Sequence, residues 1–153
     1  MPIEKTFIII KPDGVQRQAV GEILSRFERR GFKIVAMKLI RITEEMASVH
    51  YAEHIGKNFY PSLLKYITSG PVVVAVLEAL DAVNQVRRMV GATDPLKAEP
   101  GTIRADYAQE LPANVIHASD SITSAEREIG LYFKPHELIE YELDIQKWLL
   151  SFE

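Results

Sequence analysis

The chain has 153 residues, 47% of them hydrophobic and 25% charged, with a formal net charge of -3; that length allows one domain over 1–153 with a full core, and the balance excludes a general attraction to nucleic acid or anionic membranes. No cysteine is present, which excludes disulfides and thiolate metal sites. The stretch MPIEKTFIII lacks a signal-peptide core and no run approaches the roughly 18 apolar residues of a membrane span, so the expectation is a soluble, cytoplasmic protein.

Thr6 to Ile10 is apolar after its first residue and predicts a strand buried on both faces, ending at Lys11-Pro12-Asp13-Gly14 with a lysine at its rim. Val20, Ile23, Leu24 and Phe27 fall at i, i+3, i+4 and i+7, the stripe of an amphipathic helix that Gly31 stops after Arg29 and Arg30. A second strand is predicted over Lys33 to Ile42. The junction Arg30-Gly31-Phe32-Lys33-Ile34-Val35-Ala36-Met37 partly mimics an RNA-recognition signature, but Lys33 replaces a small residue, and Ile34 and Met37 replace aromatics that would stack on bases.

Thr43 caps a predicted helix running to about His54. His50 and His54 stand four apart on one face, a spacing that suits a metal. Tyr51 nevertheless occupies the place of the glutamate in H-E-x-x-H and no third ligand is evident, so both read as surface histidines. Gly56-Lys57 is not part of a P-loop, because position 51 is not glycine and Asn58 is neither Ser nor Thr; no G-x-G-x-x-G occurs either. Pro61 starts the next helix, with Leu63, Leu64 and Ile67 inward and Gly70 at its end. Pro71 to Leu77 is a valine-rich central strand. Asp81 caps a helix carrying Val83, Val86 and Val90 and closed by Gly91, with Arg87 and Arg88 in its last turn, where they complement the helix dipole.

Residues 92–113 form a long proline-containing loop without periodicity, a kind of segment that in a compact domain usually serves function. Val115 and Ile116 then make a short strand with His117 at its end, followed by a turn through Ala118, Ser119 and Asp120. Ile122, Ala125, Ile129, Tyr132 and Phe133 fall on one face of a final helix, capped by Thr123 with Glu126 as a capping box or by Ser121. Helical side chains lean toward the N-terminus, which brings Glu128 back toward His117. A histidine held by a carboxylate has a fixed tautomer and one nitrogen free as nucleophile or base; the same pair also fits a buried histidine merely satisfied by its neighbour. After Pro135 the chain turns acidic and ends in the apolar Trp148-Leu149-Leu150, expected to pack on a neighbour.

The order of elements contains a βαββαβ core, predicting a ferredoxin-like α+β sandwich: one antiparallel four-stranded sheet with helices on one side. The string Asn114 to Ile129, NVIHASDSITSAEREI, closely resembles the signature N-x-x-H-[GA]-S-D-S…S-A-x-x-E-I of nucleoside diphosphate kinases, and the resemblance extends from Lys5 to about Trp148. Ala118 stands where many members carry glycine, though some archaeal members resemble this sequence there. The resemblance implies transfer of the γ-phosphoryl group of a nucleoside triphosphate to a nucleoside diphosphate, ping-pong through a phosphohistidine on His117, with broad base specificity. It implies that Glu128 orients the ring, and that Lys11, Tyr51 and Ser119 complete the catalytic set. Lys11, Arg87, Thr93 and Arg104 would bind phosphates, Asn114 the ribose hydroxyl, and Phe59 the base, with Leu63 and Leu111 as apolar neighbours. Magnesium is the implied cofactor, held through the nucleotide phosphates without a protein cage. A homo-oligomer, with a hexamer favoured, is the implied assembly; neither membrane nor nucleic acid is required. A nucleic-acid-binding module or a regulatory scaffold on the same core are the alternative classes.

Overall fold

The computed structural model describes residues 2–150. Its sheet has four strands, β1 (Ile3–Ile10), β2 (Lys33–Arg41), β3 (Pro71–Leu80) and β4 (Ile116–Ala118), in the order β2-β3-β1-β4. Each neighbouring pair is antiparallel. The helices are α1 (Pro12–Gln16), α2 (Val20–Arg29), α3 (Glu44–His50), α4 (Tyr60–Ile67), α5 (Ala82–Val90), α6 (Ile103–Tyr107), α7 (Ile122–Tyr132) and α8 (Gln146–Leu149). This is the ferredoxin-like α+β arrangement.

Helices cover both faces of the sheet, not one. Side chains alternate across a strand, so the unbroken apolar runs of β1 and β3 divide between two cores. Ile8, Ile10, Val73, Ala75 and Leu77 meet Ile23 and Phe27 of α2 and Val86 and Val90 of α5. Phe7, Ile9, Val72, Val74 and Val76 meet Ala47 of α3, Ile67 of α4 and Tyr132 of α7. A strand buried on both sides needs both layers, and the second layer is what carries the functional cleft.

Other boundaries differ from the sequence reading. Lys11-Pro12-Asp13-Gly14 is the entry to α1, with Pro12 at a first-turn position where its missing N–H costs nothing. Asp81 occupies the N-cap position of α5 in a left-handed conformation (φ 48°) and its side chain makes no cap; Glu4 Oε1 accepts from Val83 N at 3.1 Å in its place. The stretch 92–113 is not structureless, since it holds a 3₁₀ turn at Pro95–Lys97 and α6, capped by Thr102. At the C-terminus Leu149 packs on Gly31 of its own chain, while Trp148 is 72% exposed; residues 151–153 lie outside the described residues. No helix among the described residues is long and apolar enough to cross a membrane.

Candidate active site

His117 is positioned by a strained turn. Val115 has φ 74°, and Ile116 N donates to Asn114 O at 2.8 Å, closing a three-residue turn around it. Positive φ on a β-branched residue costs on the order of 1–3 kcal/mol. Burial of the Val115 side chain and the 2.8 Å bond from Lys11 N to Val115 O offset that cost. The strand therefore begins at Ile116, one residue later than its β-favouring letters predict. His117 lies within β4, opposite Ile9 of β1, and not at its end. Ile116 and Ala118 point into the α2/α5 core, and by alternation His117 faces the other layer.

In that layer α7 supplies the partner. Its cap is Ser121, which accepts from Ser124 N at 3.0 Å, so the Thr123–Glu126 capping box does not form. Ala125, Glu128 and Tyr132 are the inward positions; Ile122, expected to join them, is exposed. Glu128 Oε1 lies 2.7 Å from His117 Nε2 and accepts from Ser119 Oγ at 2.8 Å. Burial raises the Glu128 pKa, but the hydrogen bond and charge of His117 and the Ser119 bond outweigh it and hold the carboxyl below its usual range. A carboxylate only accepts, so the proton of a neutral His117 ring is on Nε2 and the lone pair is on Nδ1.

His50 is 4% exposed, and the expectation of a surface histidine is wrong. The helix predicted to reach His54 stops at His50, because Tyr51 leaves helical geometry (φ -102°, ψ 28°) before a 3₁₀ turn at Ala52–His54. That break turns His50 inward. Its ring stands edge-on to His117 with centroids 4.9 Å apart, and its Nδ1 is 3.1 Å from Tyr132 Oη. Burial, then the neighbouring His117, lower its pKa to about 3, so the ring is neutral at ordinary pH. His50, His117 and Glu128 bring possible metal-ligand atoms within 4.8 Å of one another. This nitrogen-rich set does not suit Mg²⁺, which prefers oxygen donors.

The cleft in front of His117 has a volume of about 550 Å³. Lys11, Tyr51, Arg87, Thr93, Arg104, Asn114, His117 and Glu128, eight of the residues singled out in the sequence, line it together. Lys11 Nζ donates to Asn114 Oδ1 at 2.7 Å, and Asn114 Nδ2 donates to Thr93 O at 3.1 Å. Arg104 donates to the carbonyls of Gly91 (3.0 Å) and Ile116 (2.6 Å), and Arg87 to that of Ala118 (3.1 Å). Burial, then Arg104, lower the Lys11 pKa to about 8; burial, then Arg87, lower that of Arg104 to about 10. Burial pushes the Tyr51 phenol above its ordinary range, so it stays protonated. Cations crowded at such cost, with a nitrogen lone pair beside them, make a site for a polyanion that donates an electrophilic group.

Ser119 stands behind Glu128, outside the lining. Phe59, Leu63 and Leu111 are not brought into the cleft wall either: Phe59 is 50% exposed, Leu111 is exposed, and Leu63 packs against the second core. The sequence reading missed His50, Asp120 and Arg127, all of which line the cleft. Position was the available signal, since His50 adjoins Tyr51, and Asp120 and Arg127 flank the His117 turn and Glu128. For a magnesium ion the fit is indirect. Glu128 is engaged by His117 and Ser119, leaving Asp120 and Glu53 as the other carboxylates of the lining, which suits an ion that keeps its waters and arrives on the nucleotide phosphates.

Fold and site thus define a histidine-centred phosphotransferase. The family model described as "Nucleoside diphosphate kinase" matches residues 4–138. A nucleoside diphosphate kinase of Pelotomaculum thermopropionicum is 57% identical over 147 residues, covering 96% of this chain and 99% of that protein. One from Listeria monocytogenes is 54% identical, covering 96% of this chain and all of its own length. Among solved structures, the halophilic enzyme of Halobacterium salinarum in complex with CDP has a TM-score of 0.96 at 47% identity, covering 98% of this chain and 100% of that one. The chain belongs to the nucleoside diphosphate kinase family, enzymes that pass a phosphoryl group from nucleoside triphosphates to nucleoside diphosphates through a phosphohistidine and need a divalent metal.

Proposed function

We propose that His117 is the phosphoryl carrier and that Nδ1 is its attacking atom. The observation that carries this reading is the bond from Nε2 to Glu128, which commits one nitrogen and leaves the other, in a residue lining the cationic cleft, with its lone pair. Nδ1 forms a bond to the γ-phosphorus as the bond to the bridging oxygen breaks, and the nucleoside diphosphate departs with that electron pair. A second diphosphate attacks the same phosphorus and the N–P bond breaks. No proton moves in either half. Glu128 balances the positive charge that the ring gains while phosphorylated, and Ser119 fixes Glu128.

Lys11, Arg87, Thr93 and Arg104 bind the phosphates, because phosphoryl transfer asks chiefly for positioning and for cations around the equatorial oxygens. Tyr51 orients the transferring group as a neutral phenol. Asn114 takes the ribose hydroxyl. Phe59 offers a base platform at the rim, with Leu63 and Leu111 as apolar neighbours, and a ring that only stacks accepts any base. Mg²⁺ is the metal, neutralising charge on the phosphates, with Asp120 and Glu53 available to its waters. The chain acts as one domain over 1–153 in the cytoplasm and assembles as a homo-oligomer, with a hexamer favoured. The exposed Met37 (57%) and Leu39 (68%) on edge strand β2 support self-association.

The test is incubation with γ-labelled ATP followed by acid and base stability of the protein-bound label. Acid-labile, base-stable phosphate that any added nucleoside diphosphate removes is expected. Triphosphate formation without a labelled protein intermediate would overturn the reading.

A further inference from the structure

Lys11 is a buried cation with an unusual set of neighbours. It lies between β1 and α1, almost wholly enclosed, and forms no ion pair among the described residues. Among the described residues Asn114 is the one side chain that accepts from Nζ, and Arg104 on α6 opposes its charge. Two residues outside the cleft lining complete the surroundings. Tyr66 of α4 places its ring centroid 5.7 Å from Lys11 Nζ, and its hydroxyl donates to Asp13 Oδ1. Asp13 is two residues beyond Lys11, in the first turn of α1.

We propose that Asp13 and Tyr66 form a positioning pair for Lys11, a carboxylate and a phenol behind the cleft that keep the ammonium charged and directed at the nucleotide phosphates. The pair acts only through Lys11, so the proposal rests on the phosphate-binding role assigned to that lysine above. A buried ammonium without a counter-ion tends to lose its proton, and a neutral amine is a poor phosphate ligand. The Asp13 carboxylate supplies the missing charge without occupying the phosphate position. The Tyr66 hydroxyl holds that carboxylate, and the electron-rich face of its ring attracts an ammonium at this distance.

The electrostatics agree with this geometry. Burial and then Arg104 lower the Lys11 pKa to about 8, and Asp13 acts in the opposite sense. Tyr66 keeps its proton, because burial and then its hydrogen bond to Asp13 push the phenol well above its ordinary range. The other titratable groups around the cleft are Arg104 on α6, His50 and Tyr51 at the end of α3, Glu53 just beyond it, Arg87 on α5, His117 on β4, Asp120 in the turn that follows, and Arg127 and Glu128 on α7. Glu128 is committed to His117 and Ser119, Asp120 bonds Ser124 and Ser121, and Glu53 faces His54; Asp13 is the carboxylate whose charge acts on Lys11.

The sign follows directly. In the free enzyme Lys11 loses its proton as pH rises through about 8, and phosphate affinity falls with it. Asp13→Asn keeps an oxygen that can accept from Tyr66 but removes the charge, so the alkaline limb of kcat/KM should move down by about one pH unit, a roughly tenfold deficit above pH 8 that shrinks toward wild type near pH 6.5. The limb in kcat should move less, since bound phosphates themselves hold the ammonium charged. Asp13→Glu should restore part of the limb, and Tyr66→Phe should shift it in the same direction by a smaller amount. Exchange between ATP and a second nucleoside diphosphate, read with phosphoenzyme labelling, gives the profiles; circular dichroism confirms folding, and Tyr66→Phe carries the test if Asp13→Asn does not fold. An unmoved alkaline limb, or a deficit of equal factor at every pH, would overturn the pairing. Wild-type protein that forms no phosphoenzyme would instead overturn the assignment of His117, so the two failures are separable.

Discussion

Glu128 Oε1 sits between His117 Nε2 and Ser119 Oγ, 2.7 Å from the first and 2.8 Å from the second. Both neighbours donate to one oxygen, which pins the carboxylate and, through it, the imidazole. The variants of this pair are expected to part company. His117→Ala should abolish stable phosphorylation and nearly all exchange while ATP still binds. Glu128→Gln keeps an accepting oxygen but loses its charge, so the intermediate should form more slowly, with a deficit of about 1–3 kcal/mol in the barrier. Rapid-quench measurement of phosphoenzyme formation reads both. A normal burst in His117→Ala sinks the nucleophile assignment, whereas a wild-type rate in Glu128→Gln sinks only the orienting role.

Phe59 is half exposed, its ring 5.2 Å from that of His54 and its centroid 5.9 Å from Lys57 Nζ. A stacking face has no donor or acceptor code. Phe59→Ala should therefore weaken ADP, GDP, CDP and TDP by similar amounts, on the order of 1–3 kcal/mol. Comparing KM for the four diphosphates decides it, and a loss confined to one base would contradict a purely stacking platform.

His50 ties the site to acid stability. Its folded pKa of about 3 lies below the ordinary value near 6.5, so between those values the unfolded chain binds a proton that the folded one does not. Stability must then fall as pH drops from 6.5 toward 3, and above 6.5 this histidine adds no pH dependence. From pH 6.5 to 5 the loss should be about 2 kcal/mol. In His50→Gln that portion of the slope should vanish. Urea titrations at pH 7, 6 and 5 test this, and parallel losses in wild type and variant would refute the assignment of the slope to His50.

Much of the fold could be read from residue patterns because burial leaves periodic marks. The unbroken Phe7–Ile10 and Val72–Leu77 runs require two covered faces, and the stripes on α2 and α5 follow the helical period. The βαββαβ pattern by itself predicts a one-sided sheet, whereas the double burial of its central strands requires the second helical layer. The remaining misses come from tertiary contacts overruling local preference. Val115 has a strand-former's side chain in a left-handed conformation, held there by its burial and by Lys11 N. His50 lies on a helix whose early end, at Tyr51, no cap residue announces. Spacing did bring Glu128 to His117, since both belong to one continuous strand–turn–helix segment. The meeting of Lys11 with Asn114 across 103 residues rested on family likeness, not on any local rule.

Gly31 and Leu149 tie the C-terminal helix to the body of the chain. Gly31 has φ +91°, and a Cβ built on it would lie 2.5 Å from Leu149 Cδ1. Gly31→Ala thus carries two costs, about 1–2 kcal/mol for a left-handed alanine and the loss of Leu149 from its seat. Leu149→Ala removes the second cost, so Gly31→Ala should be less destabilising in that background than in the wild type, a coupling that a double-mutant cycle isolates. Each kcal/mol corresponds to roughly 2–4 °C in Tm for a chain of this size. Trp148, the chain's single tryptophan, neighbours Leu149 and should report the displacement of α8 by its fluorescence. The residues around this seat share none with the His117 cleft. Exchange activity per folded site should accordingly stay near wild type in both single variants. Strictly additive melting shifts would show that Leu149 does not depend on the glycine beneath it.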